Sequence, residues 1–428
     1  MKKTDHSKKL RAFSLILSSL LLLGSCVNNA PETTAEAKTD EPTDAVTIEP
    51  VTEPETTEEV TTGAETEPEP VKVGQATLYQ LVPETSSLMM CYVIITPNNK
   101  VVVIDGGIDG SGVNSKPYLQ SAIRAILGLG EGEYFEVEAW FLSHAHRDHY
   151  YELAKMLRDY TAESNYKINN FYFDFPDIGV EWDSAAGSGD YDIPKLDTLK
   201  AGMDNYYAIN AFTGIKGADI PEDKLTKPDG AENYYYDLIN GAVINTENVD
   251  KGLCINVDGV AFNVLMTWSP KARYVNSTSV IIRMEYGEHS VLFLGDCDTD
   301  EQGRLLEKYE PEQLKSEYVQ MGHHGQGGPD KSFYDKIDAT NSKRLWPTPS
   351  WVWSDAKTYR TGETRSWVGL PYEADDFKRE RLQNTGNDIV AGLYKKTPSS
   401  GADKVSKWTE KALENQRVAI FEGPLPQE

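Results

Sequence analysis

The chain has 428 residues and 7 histidines, yet His144, His146 and His149 stand within one six-residue stretch that also contains Asp148. A lone histidine is most often a satisfied structural residue. Imidazole and carboxylate at this density are instead what zinc, manganese or iron requires. The segment Ser143-His144-Ala145-His146-Arg147-Asp148-His149 follows a strand-like run, Val137 to Leu142, and precedes a stretch of helical spacing, Tyr150 to Tyr160. A loop that leaves a strand and enters a helix can turn several side chains toward one point beyond the sheet edge. Three distant motifs carry matching chemistry. Asp105-Gly106-Gly107 ends an apolar run, and Gly295-Asp296 follows Val291 to Leu294. Met321-Gly322-His323-His324-Gly325 places its first histidine 27 residues beyond Asp296 (323 − 296).

The elements that must position these residues are legible around them. Ala76 to Leu81 alternates like a strand, and Leu88 to Thr96 and Lys100 to Asp105 read as a hairpin about the turn Pro97-Asn98-Asn99. Tyr118 to Leu127 and Leu196 to Phe212 have helical spacing, and Lys167 to Phe175 reads as a strand. Ala261 to Met266, Ser279 to Tyr286 and Ser290 to Leu294 are further strands, the last two joined by a turn at Gly287-Glu288-His289. The poorly patterned stretch 184–246 is expected to be an insertion near the site. Strands running into helices in both halves of the chain predict a layered α/β sandwich.

The pattern H-x-H-x-D-H after a hydrophobic strand resembles the signature of the metallo-β-lactamase fold superfamily. Asp105-Gly106-Gly107, Gly295-Asp296 and the late histidine motif resemble its other parts, in the same order. The resemblance implies an α/β, four-layer αββα sandwich over residues 73–353. It also implies two divalent metal ions, zinc first, with manganese or iron as alternatives. One metal would take His144, His146 and a shared Asp296. The other would take Asp148, His149, Asp296 and one of His323 and His324, with the remaining histidine hydrogen-bonding or protonating the substrate. Asp105 would brace the ligand loop, and Asp148, His323 and His324 would take part in catalysis by a hydroxide held between the cations. Many relatives use a further histidine before the bridging aspartate, but here none lies between His149 and His289. The corresponding region falls near Asn276 to Ser279. That departure, with the paired late histidines, is similar to the branch containing the metallo-hydrolase domain of DNA-uptake competence proteins.

The formal net charge of −25 and the lack of a long Lys/Arg run beyond the first dozen residues argue against long nucleic acid as a partner. A basic start (Lys2, Lys3, Lys8, Lys9, Arg11), an apolar run from Phe13 to Leu23, and Leu23-Gly24-Ser25-Cys26 resemble a bacterial lipoprotein signal over residues 1–26. Lipid on Cys26 would hold the chain to a membrane, facing outside the cytoplasm. Residues 27–72 are rich in Thr, Glu and Pro and carry no aromatic residue, a composition expected to form a disordered linker. Residues 354–428 are expected to be an extension packed on or near the domain. Trp346, Trp351 and Trp353, with Tyr150, are candidates for an aromatic wall beside the metals. Cys91, Cys254 and Cys297 are too few and too irregularly spaced for a disulfide framework or a zinc knuckle. Together these readings point to a surface-anchored metal-dependent hydrolase of a small or cell-surface phosphoester. The alternatives are hydrolysis of a carboxylic bond (lactone, amide or thioester) and a non-catalytic lipoprotein that binds glycan or choline.

Overall fold

Many strand-like runs in the sequence are apolar on both faces because the sheets they build are covered on both faces. The structure is a computed structural model. It describes residues 73–81, 89–107, 118–175, 193–210, 243–269, 272, 274–325, 327–347, 388–390, 413–414 and 416–425. Cys26, the linker at 27–72, Trp351 and Trp353 lie outside the described residues, as do residues 184–192 and 211–242 of the expected insertion and residues 176–183 before it.

Among the described residues there are two seven-stranded sheets. The first holds β1 (Val73–Gln80), β2 (Tyr92–Ile95), β3 (Val101–Ile104), β4 (Phe135–Phe141), β5 (Tyr166–Ile168), β6 (Phe171–Tyr172) and β14 (Arg417–Pro424). Its order is β14-β1-β2-β3-β4-β5, with β6 also paired to β4. The second holds β7 (Cys254–Val257), β8 (Val260–Met266), β9 (Ile281–Tyr286), β10 (His289–Phe293), β11 (Tyr318–Gln320), β12 (Lys343–Trp346) and β13 (Asp388–Val390), in the order β13-β12-β11-β10-β9-β8-β7. The hairpin about Pro97-Asn98-Asn99 forms as β2 and β3, with Asn99 in the left-handed region. The run 167–175 is two short strands rather than one.

Three apolar clusters define the layers. Ala76, Leu78, Ile94, Val102 and Phe141 of the first sheet meet Phe262, Ile282, Met284, Val291 and Phe293 of the second. The other face of the first sheet packs on α1 (Tyr118–Ile126), α2 (Arg147–Arg158) and α3 (Ile193–Asn210), through Leu119, Ile123, Leu153, Leu157, Met203 and Tyr206. Leu305 of α4 (Thr299–Lys308) and Phe333 and Tyr334 of α5 (Lys331–Lys336) cover the outer face of the second sheet. The protein is therefore the four-layer αββα sandwich implied by the resemblance. The expected insertion contributes to this frame, since α3 lies so close to α2 that a Cβ on Gly202 would stand 2.7 Å from the Ala154 carbonyl oxygen. The C-terminal residues 388–390 and 417–424 are strands of the two sheets, so the folded unit runs well past residue 353.

Within the outer layer, Glu301 is fully buried, with the Cys297 thiol as the side-chain partner of its carboxyl group. Burial, then the charge of Asp298, pushes its pKa well above the ordinary glutamate value. The folded chain therefore keeps a proton that the unfolded chain releases. Stability from this group falls as pH rises from the unfolded pKa through the folded one. Glu301→Gln should remove that slope, so the melting temperature of the variant gains on the wild type as pH rises above the ordinary glutamate value. Equal slopes in thermal melts of the two proteins would show that Glu301 is ionised in the fold.

Candidate metal centre

The histidine loop is held from both sides. β4 runs parallel to β3 and β6, and its chain passes through Leu142 to His146 before α2 begins at Arg147. Asp148 falls in the first turn of α2, where a carboxylate suits the positive end of the helix. Asp105, fully buried and in the left-handed region at φ 63°, accepts hydrogen bonds from Ser143 N at 2.7 Å and Ser143 Oγ at 3.0 Å. Its Oδ2 also lies 2.8 Å from His149 Nδ1. Glycine at position 106 lets the end of β3 reach α2, because a Cβ there would lie 2.8 Å from Leu153 Cβ and 3.3 Å from the His149 carbonyl oxygen.

The second sheet brings its motifs to the same edge. Gly295, at φ 53°, turns the chain after β10, and a Cβ there would press on Ser143 Cβ and Ser279 Oγ at 3.0 Å each. Asp296 N donates to Ser279 Oγ at 3.0 Å. Gln320, fully buried at the end of β11, accepts from Leu294 N at 2.7 Å and donates to the Gly295 carbonyl at 2.9 Å. His323 N also donates to the Gly295 carbonyl, at 3.1 Å. His323 and His324 both adopt positive φ, 50° and 54°. Left-handed backbone at two successive non-glycine residues costs on the order of 1–3 kcal/mol each, a strain characteristic of functional sites. It sends the two rings apart. His324 is fully buried, whereas the His323 side chain is 32% exposed.

Two groups of donors result: His144, His146 and Asp296, and Asp148, His149 and His324, with the atoms of each within 4.8 Å of one another. The two oxygens of Asp296 face different groups. Oδ1 lies 3.2 Å from His149 Nε2 and 3.6 Å from His324 Nε2, whereas Oδ2 lies 3.7 Å from His144 Nε2. His149 Nε2 and His324 Nε2 are 3.2 Å apart, and His324 Nε2 is 3.2 Å from Asp148 Oδ2. Ligands at about 2.0–2.1 Å from a tetrahedral cation stand about 3.3–3.4 Å from each other, so this spacing fits one. In the other group, His144 Nε2 and His146 Nδ1 are 3.0 Å apart. Asp105 holds His149 by Nδ1, which leaves Nε2 as the donor toward Asp148, His324 and Asp296.

The electrostatics suit cation binding. Burial pushes the pKa of His144 well below its ordinary value and lowers that of His146, so both rings are neutral donors. Burial would raise Asp148, but a hydrogen bond from His324 and the charge of His149 hold it far below the usual carboxylate range. Burial would likewise raise Asp296, and the charges of His149, His324 and His323 outweigh it. Burial would lower His149, yet Asp296 and Asp105 push it well above its ordinary value. The pocket thus gathers buried carboxylates that demand positive charge.

The structure brings together Asp105, His144, His146, Asp148, His149, Asp296 and His324, with His323 at the rim, its Nε2 3.8 Å from Asp296 Oδ2. Of the expected aromatic wall, the two described members, Trp346 and Tyr150, do not line the site. Trp346 is fully buried in the outer-layer cluster, with its ring against Gly325. Tyr150 is fully buried between α2 and the first sheet. Neither offers a surface to substrate, because each points from its element into a packed layer. Sequence reasoning missed Gln320, which ties the Asp296 turn to its neighbours, and reached Ser279 only as the end of the region Asn276 to Ser279. A glutamine inside the apolar run Tyr318 to Met321 was the available signal.

No protein-family model and no curated protein matches the chain. Among solved structures it is similar to a diphosphatase of the PhnP family, at 11% identity and TM-score 0.33, over 64% of this chain and 86% of that one. It is similar to the short form of human tRNase Z, at 12% identity and TM-score 0.33, over 63% and 91%. It is also similar to CmlA, a diiron β-hydroxylase from Streptomyces venezuelae, at 11% identity and TM-score 0.29, over 63% and 38%.

Proposed function

We propose that the protein is a metal-dependent hydrolase acting on a phosphoester, with two divalent cations, zinc first, held by the two donor groups. The observation that carries this reading is Asp296, whose two carboxylate oxygens face one group each. A carboxylate so placed offsets the repulsion of two cations about 3.5–4 Å apart. Cations there would supply Lewis acidity and make water available as a nucleophile near neutral pH.

The chain's own residues would do the rest. Asp105 keeps His149 in the tautomer and orientation that present Nε2. The group of His144, His146 and Asp296 is the one beside the partly exposed His323, so an oxygen of the substrate would approach on that side. His323 stands partly exposed beside Asp296 Oδ2, where its Nε2 can hydrogen-bond a substrate or leaving-group oxygen. The acidic chain favours a small or surface-bound ester over a long polyanion. Lipid on Cys26 and the linker 27–72 would hold the enzyme at a membrane surface, outside the cytoplasm. Among the described residues no helix is long and apolar enough to cross a membrane.

The test is metal analysis of the purified full-length protein, followed by turnover of bis-p-nitrophenyl phosphate with and without a chelator. We expect bound divalent metal and hydrolysis that chelation abolishes and metal restores. Turnover of carboxylic esters or lactones alone would move the activity to the carboxylic-bond class. Tight metal without turnover of either panel would favour a binding lipoprotein.

A further inference from the structure

The two donor groups are unequal. Asp148, His149, His324 and Asp296 Oδ1 make four donors on one side, against His144, His146 and Asp296 Oδ2 on the other. The three-residue turn Asn276–Thr278 ends at Ser279, which contacts His144 and the Asp296 backbone. Ser279 Oγ, which closes that turn, donates to the Asn276 carbonyl at 2.9 Å, accepts from Asp296 N at 3.0 Å and lies 3.5 Å from His144 Nδ1. The Asn276 side chain meets His323, with Nδ2 3.4 Å from the Nε2 that itself stands 3.8 Å from Asp296 Oδ2. Its Oδ1 is buried and has no hydrogen-bond partner. A bare carboxamide oxygen is costly to bury. Here it sits on a turn whose last residue, Ser279, holds the Asn276 carbonyl and the Asp296 N–H.

We infer that Asn276 supplies the missing donor of the poorer position through its side-chain oxygen. This rests on the metal-dependent reading above. Two imidazoles, one carboxylate oxygen and one neutral carboxamide oxygen carry less negative charge than the richer set, which has two carboxylates. The position completed by Asn276 is therefore the weaker of the two. Its second oxygen also makes it more tolerant of manganese than an all-nitrogen site would be.

Metal titration of the stripped full-length protein, with zinc and then manganese against a chromophoric chelator, tests this without any activity readout. The wild type should show a tight and a weak class of binding. Asn276→Leu, of similar size and without a donor, should lose the weak class and keep the tight one. Asn276→Asp keeps an oxygen but loses the amide N–H, and should retain the weak class or tighten it by about tenfold or more. Both classes unchanged in Asn276→Leu would overturn the inference. So would loss of the weak class in Asn276→Asp, because the contact of Nδ2 with His323 would then be what matters. If Asn276→Leu loses both classes through misfolding, Asn276→Asp alone decides by the same criterion. A wild-type chain that binds no metal would sink the hydrolase reading itself, whereas the other outcomes bear only on Asn276.

Discussion

Asp296→Ala is expected to empty both metal positions at once and to lower phosphodiester turnover by roughly three orders of magnitude or more. The reason is geometric. Other ligands serve one group each, but Asp296 presents Oδ1 to His149 and His324 and Oδ2 to His144. Its loss also leaves His149 without the larger of the two charges that hold its pKa up. Metal content per chain and bis-p-nitrophenyl phosphate turnover should fall together. A variant that keeps one full equivalent of metal, or that loses metal and keeps its activity, would contradict a shared role for this carboxylate.

The second large effect is expected from Asp105→Asn, at a residue that belongs to neither donor group. Asp105 accepts from Ser143 N and faces His149 Nδ1, both within 2.8 Å. An asparagine cannot accept on both sides. If its oxygen serves Ser143, its amide N–H meets His149 Nδ1 and drives the proton of that ring to Nε2, where the metal should be. If the amide turns over, Ser143 N is left facing a donor. Metal affinity at the position of Asp148, His149 and His324 should drop about 10- to 100-fold. The group of His144, His146 and Asp296 should be affected less. Stoichiometric titration with a chelator competitor measures this. Unchanged affinity at both positions would mean that Asp105 serves only the fold.

How much of this was legible beforehand varies with distance along the chain. The loop 143–149 could be read directly, because its donors are local and lie between a strand and a helix whose patterns are strong. The hairpin of β2 and β3 was equally plain from its turn. Trp346 was misplaced because its neighbour Leu345 faces the inter-sheet core while Trp346 faces the helices. That alternation follows from the register of β12 between β11 and β13. The last strand of the first sheet, β14, was missed because its partner β1 lies more than three hundred residues away.

Taken alone, the sequence determined the kinds of donor, their local order and the layered α/β plan, since these depend on residue chemistry and short-range periodicity. Tertiary structure decided the assignments that need long-range distances. It separated buried His324 from rim-exposed His323 through two left-handed backbone residues, and it aimed the oxygens of Asp296 at different partners. It also buried the side-chain oxygen of Asn276 without a hydrogen-bond partner while its amide nitrogen meets His323. Side-chain direction at the end of a strand is fixed by sheet register and by what packs against it, and neither is written in local spacing.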